Sequence, residues 1–162
     1  MKPGRQAGFS LIELLIVVAV ILIIAAIAVP NYLSARMAAN EGSAVASLRT
    51  MNTALAVYVT AYPSVGYPTS LADLKDSGAA RCTPSATQAC LIDGTLAAGT
   101  KSGYTFTYTP DTSMTPSPAY ILVADPISRG ISGRRSFYTD QPGVIRYNAS
   151  APATVTDLPI PM

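Results

Sequence analysis

The segment GFSLIELLIVVAVILIIAAIAVP, Gly8 to Pro30, decides how the rest of the chain is read. From Leu11 to Val29 every side chain is apolar except Glu13. A helix crosses a hydrocarbon core in about 20 residues at 1.5 Å each, and this run has that length. Lys2 and Arg5 precede it, and the next basic residue is Arg36. The positive-inside tendency therefore keeps the N-terminus cytoplasmic and delivers the remainder outside. The run reaches Pro30 without the small-residue cleavage site of a secretory signal, so it reads as an anchor that stays. Glu13 is the anomaly. A carboxylate in a spanning helix costs roughly 2.5–3.5 kcal/mol at the centre and less near the interface. Either it snorkels to headgroups or it meets a positive partner, and no basic side chain lies between Arg5 and Arg36. A backbone amine, released by a cut shortly before the segment, would serve.

The totals narrow the alternatives. At 162 residues there is room for about one domain plus an extension. Apolar residues make up 49% and charged ones 12%, and the apolar excess is concentrated in the first thirty positions. With Lys2 and Arg5 set aside, the eleven basic side chains fall to the number of the nine acidic ones. So even a balance gives no broad electrostatic surface, and no nucleic-acid partner is expected. Histidine is absent, which excludes imidazole acid–base catalysis and most mixed-ligand zinc sites.

GFSLIELLIVV resembles the N-terminal signature of type IV pilins and of the related pseudopilins of type II secretion. The resemblance covers Lys2 to about Tyr62 and is weak beyond. It implies a leader, residues 1–8, that a prepilin peptidase removes between Gly8 and Phe9, with Phe9 then N-methylated. It implies a membrane and filament-core helix over 9–30, and a globular domain with the helix's second half over 31–162. Glu13 matches the family's glutamate, which pairs with the terminal amine of a neighbouring subunit. A terminal amine with a reference pKa near 7.7–8.0 is largely charged at neutral pH. Such a pair sets register between subunits more than it adds net stability. Many members carry a mid-segment glycine where this chain has Leu22, so any loosening of the helix is expected near Pro30 as a kink. The implied partners are further copies of the chain in a helical filament, the peptidase, an assembly ATPase and a platform protein. The implied location is the inner membrane before assembly and a surface pilus after it.

Past Pro30 the helical period continues. Ala44, Leu48, Met51, Leu55, Tyr58 and Tyr62 form one apolar stripe, expected to pack on a sheet, and Pro63 ends the run. One helix from Phe9 to Tyr62 would be ~80 Å long. YPSVGYPTSLADLKDSG holds a short helix, capped by Thr69 or Ser70 and stopped by Gly78. Cys82 and Cys90 flank a polar loop on the extracytoplasmic side, where a disulfide is expected ahead of free thiols or a metal. YTFTYT alternates as a strand with one buried face, and AYILVA reads as a central strand covered on both sides. RSFYTDQPGVIRYN reads as a hairpin of Ser136–Thr139 and Val144–Tyr147, with Pro142 and Gly143 placed for a type II turn. The expected fold is α+β: a long N-terminal helix on a roughly four-stranded antiparallel sheet. Pro159 and Pro161 argue against a long final strand.

No catalytic residue, cofactor or metal is expected. The aspartates lie beside turn formers, Asp140 among them, where a lone calcium ligand lacks a partner acid. Arg129, Arg134 and Arg135 form a basic cluster that reads as solvated surface or inter-subunit contact. The reading is a structural subunit of a type IV pilus, not an enzyme, and adhesion, twitching motility and DNA uptake all stay open as the service of that pilus. The alternative is a major pseudopilin of type II secretion, which YPTSLADL resembles. A rival from another class is a single-pass anchored binding domain that never polymerises.

Overall fold

The computed structural model describes residues 9–78 and 81–161. The arrangement is α+β, the class expected from the sequence, with one long helix and an antiparallel sheet of five strands where roughly four were expected. Helix α1 spans Leu11–Ala61 and runs through Pro30 without an interruption. Contacts divide the chain after Ala35 into two units, and α1 contributes to both. In the first unit the helix side chains are exposed from Leu11 to Val29 except for half-buried Ala25. In the second unit the stripe becomes core: Ala44, Leu48, Met51, Leu55 and Tyr58 are buried. Steps of three and four residues keep these side chains on one face, so a single helix surface supplies half the core.

The other half comes from the sheet. Strands β1 (Thr100–Lys101), β2 (Tyr104–Pro110), β3 (Tyr120–Pro126), β4 (Ser136–Asp140) and β5 (Arg146–Asn148) lie in sequence order. Tyr104, Phe106, Tyr120, Leu122, Ala124 and Phe137 pack with the helix stripe in one cluster. The sheet exceeds the expectation by β1, a two-residue strand too short to alternate. It returns into β2 through Ser102 and Gly103, whose φ values of 50° and 75° are those a two-residue type I′ loop requires.

Three readings of the sequence change. Strand β3 is covered on one face only: Tyr120, Leu122 and Ala124 are buried, while Ile121 is 42% exposed. The doubly covered strand is β4, where Ser136, Phe137, Tyr138 and Thr139 are all buried. The loop before β4 closes its second face, with the Arg129 guanidinium donating to Ser136 Oγ. The turn after β4 closes one residue early. Gly143 donates to the Asp140 carbonyl at 2.8 Å and itself has φ 73°, so Gln141 and Pro142 are the central residues. The short helix is a 3-10 turn, Leu71–Leu74, ending before Gly78. Ser70 precedes it as expected, with its N–H bonded to the Asp73 carboxylate at 2.9 Å.

Cys82 and Cys90 are joined by a disulfide. The loop they close sits over the end of α1, because Tyr58 Oη donates to the Ala86 carbonyl at 2.6 Å. A second helix, α2 (Gly94–Ala97), follows with Asp93 as its cap. The C-terminal tail lies beside β5: Tyr147 donates to Leu158 and Ile160 to Ile145, each at 3.0 Å.

Candidate functional site

The sequence places its candidate site at the start of α1. Gly8 and the rest of the leader lie outside the described residues; Phe9 is exposed. Ser10 precedes the first helical residue, and its N–H donates to the Glu13 carboxylate at 2.9 Å. The first N–H groups of a helix have no intrahelical partner, and a carboxylate three residues on is well placed to accept one. Sitting in the first turn, Glu13 is also at the positive end of the helix dipole. The carboxylate is thus held one residue from the Phe9 nitrogen and exposed. An amine freed at Phe9 would enter a neighbourhood already arranged for a charge of opposite sign.

Among the described residues, the side chains that follow Glu13 as far as Val29 are apolar and, except for half-buried Ala25, exposed. Helix α1 contains a window long and apolar enough to cross a membrane by length and composition, and none of that window is buried. An apolar surface of this extent is costly in water, so it needs lipid or other apolar helices against it. Pro30 lies inside α1 and has no N–H, so the bond that residue 30 would give to the Ala26 carbonyl is missing. The helix is therefore weakest in its hydrogen bonding at the place where a kink was expected.

A second polar site escaped the sequence reading. Glu41 is buried on the same helix face as Ala44 and Leu48. Its Oε1 accepts the N–H of Arg134 at 2.8 Å and of Arg135 at 3.1 Å. Its Oε2 meets Arg135 Nε at 2.7 Å. Burial pushes the Glu41 carboxyl upward, but the Arg134 N–H and the Arg135 side chain and N–H outweigh it and hold it below the ordinary value. The Arg135 guanidinium also lies over the rings of Phe137 and Tyr147, at 5.7 and 5.5 Å. The signal was present: Glu41 stands three residues before Ala44, in phase with the stripe.

The basic cluster is therefore only partly a solvated surface. Arg135 is bound to Glu41, and Arg129 donates to the Arg134 carbonyl and to Ser136. Arg134 uses its backbone here and leaves its side chain exposed.

Comparisons with known proteins bear on the N-terminal segment. Residues 3–29 match the family model of the prokaryotic N-terminal methylation motif. The type IV major pilin protein PilA of Myxococcus xanthus (strain DK1622) is 46% identical over 50 residues, 31% of this chain. The match spans 23% of that relative's own length. No solved structure matches the chain. Motif and relative agree with the resemblance carried by GFSLIELLIVV.

Proposed function

We infer, from the premise that this chain carries the N-terminal segment of a type IV pilin, that it is the structural subunit of a type IV pilus. The observation that carries the reading is the exposed apolar stretch Leu11–Val29 of α1, whose single carboxylate, Glu13, sits one turn from Phe9. The precursor spans the inner membrane through Leu11–Val29, with the globular unit outside. A prepilin peptidase cuts between Gly8 and Phe9, and Phe9 is methylated. The charged amine of one copy then pairs with Glu13 of a neighbour inside an apolar bundle, where an unpaired charge of either sign is costly. Each copy offers the same contact to the next, so the interface is heterologous and propagates as a filament without closing. Pro30, already short of one helix bond, is where the helix loosens or kinks to fit the bundle. An assembly ATPase and a platform protein drive the extrusion. The role is structural rather than enzymatic.

A second reading, a major pseudopilin, is favoured by YPTSLADL, the stretch that forms the 3-10 turn and places Leu71 and Leu74 in the core.

Mass spectrometry of filaments sheared from the cell surface tests the proposal. The expected species begins at methylated Phe9 and is two hydrogens light for the disulfide. A processed chain that stays with the membranes favours the pseudopilin. A chain that still carries residues 1–8 overturns both.

A further inference from the structure

The loop between β3 and β4, Ile127–Arg135, is firmly held and yet exposes two large apolar side chains. Ile131 and Ser132 both donate to the Ser128 carbonyl, at 3.0 and 2.9 Å, and Gly130 donates to Gly133 at 2.8 Å. Asn40 on α1 donates to the Ser132 carbonyl at 2.7 Å, and Glu41 accepts the N–H groups of Arg134 and Arg135. On this braced frame Ile127 and Ile131 are 64% and 65% exposed. A fixed loop that holds two isoleucines in solvent pays a hydration cost that the core does not recover.

The charge on the same loop is of one sign. No Asp or Glu occurs from Pro126 to Thr139. The buried Glu41 is matched by Arg135. The hydrogen-bond partners of the Arg129 guanidinium, a carbonyl and a hydroxyl, are neutral, and among the described residues it stands in no salt bridge. The Arg134 side chain is exposed, and among the described residues it stands in no salt bridge. Two exposed isoleucines on a loop whose arginines Arg129 and Arg134 stand in no salt bridge among the described residues are what an anionic lipid surface binds, through apolar insertion at the headgroup boundary and attraction to the lipid charge.

We propose that the loop Ile127–Arg135 docks the globular unit onto the anionic surface of the bilayer that anchors the chain. The proposal rests on the reading of Leu11–Val29 as membrane-spanning. Asn40 and Glu41, where the loop is held, follow Val29 by roughly a dozen residues. However that stretch is oriented, at most ~3.5 Å per residue, the loop stays within ~40 Å of the bilayer. Tethering of this kind gives a high effective concentration, so a contact too weak to hold a free domain is populated here. Docking keeps the isoleucines dry before assembly and is released when the subunit leaves the membrane.

The test uses the full chain in vesicles of phosphatidylcholine, with or without phosphatidylglycerol. Ile127→Cys is labelled with bimane; the disulfide leaves the introduced thiol as the reactive one, and Ile131 and the arginines stay in place. Flotation first reports insertion. The expected result is quenching of the bimane by nitroxide lipids in the anionic vesicles, weakened by salt, with little in the neutral ones. Arg134→Glu changes the charge by two, which lowers the docked-to-undocked ratio on the order of thirtyfold. Equal accessibility to water in both lipids overturns the docking while leaving the anchor standing. Protection that needs many copies per vesicle and shows no lipid quenching assigns the loop to a second copy and overturns the lipid proposal. A chain that does not float overturns the anchor and the docking with it.

Discussion

Glu41 on α1 and Arg135, the residue before β4, close a contact of 2.7 Å across 94 residues of sequence. The carboxylate is 9% exposed and the guanidinium side chain 41%. The pair is thus a buried acid held by a partly wet base, with two backbone N–H groups completing the shell. Removing one partner strands the rest. Glu41→Ala is expected to cost on the order of 2–4 kcal/mol, because three donors lose their acceptor. Thermal melting of the full chain in detergent measures it, and a loss below half a kcal/mol would refute the clamp.

The same pair predicts a pH dependence. The folded Glu41 carboxyl titrates below its ordinary value of 4.5, since its donors outweigh burial. A depressed folded value means that the unfolded chain takes up the proton first. The stabilisation is therefore complete above about pH 4.5 and is lost as pH falls through the lower folded value. Lowered Asp93, Asp111 and Asp157 act in the same direction. Comparison with Glu41→Gln isolates the contribution: the variant's melting curve should fall less steeply below pH 4.5. Parallel curves would show that the carboxylate is not the titrating group.

At the other end of the chain, Glu13 gives a prediction about assembly rather than folding. Its contact with the Ser10 N–H is local and exposed, so its loss barely affects the globular unit. Glu13→Val should insert, be processed and fold, yet form no filaments. Cells carrying it should hold normal amounts of processed subunit in the membrane fraction and none in the sheared fraction. Normal filaments would remove Glu13 from assembly altogether.

The contrast between these two glutamates explains what the sequence could and could not convey. Glu13 stands out because its neighbours for a dozen positions are apolar, a signal contained in one window. Glu41 looks like an ordinary helix surface residue until its phase with Ala44 and Leu48 is noticed, and its partner is 94 residues away. The helix stripe and the alternation of Tyr104, Phe106 and Tyr108 were legible because burial imposes a period. AYILVA misled because an apolar run records composition, not which sheet face has a cover. Ser136 and Thr139 are buried polar residues, so β4 lacked the apolar run that would have marked it as the covered strand. Their partners, Arg129 and Asn52, belong to other elements. The two-residue β1 carried no period at all.

Gly66 supplies a sharper test of the fold near the end of α1. It has φ 79°, and it lies against Ser117, which donates to the Val65 carbonyl at 3.0 Å and accepts from Tyr67 at 3.1 Å. A Cβ at this position would run into the Ser117 backbone, which cannot swing away as a side chain would. Gly66→Ala therefore combines an unfavourable backbone region with a backbone collision. The expected cost is on the order of 2–3 kcal/mol, read as a lowered melting temperature. Gly78 serves as the control: it too has positive φ, 71°, but among the described residues a Cβ there meets nothing within 4 Å, so its alanine variant should lose about 1 kcal/mol.

The disulfide loop and Tyr58 make the last prediction, which concerns coupling. Cys82 and Cys90 are eight residues apart, so the loop is short, and closing it contributes on the order of 2–3 kcal/mol at most. The Tyr58 hydroxyl reaches the loop's centre at the Ala86 carbonyl, and burial pushes that hydroxyl's pKa upward, so it stays a neutral donor through the ordinary pH range. Tyr58→Phe removes one hydrogen bond and keeps the ring, at a cost of about 1 kcal/mol while the disulfide is intact. Once Cys82→Ser and Cys90→Ser open the loop, Ala86 is no longer fixed over the helix end. The hydroxyl then has less to hold, and Tyr58→Phe should cost less in that background. The two changes are therefore expected to be sub-additive by about half a kcal/mol or more in a double-mutant cycle. Strict additivity would mean that the loop keeps its place on α1 without the bond, held by the pairing of Ala89, Leu91 and Ile92 with Asp73 and Leu74.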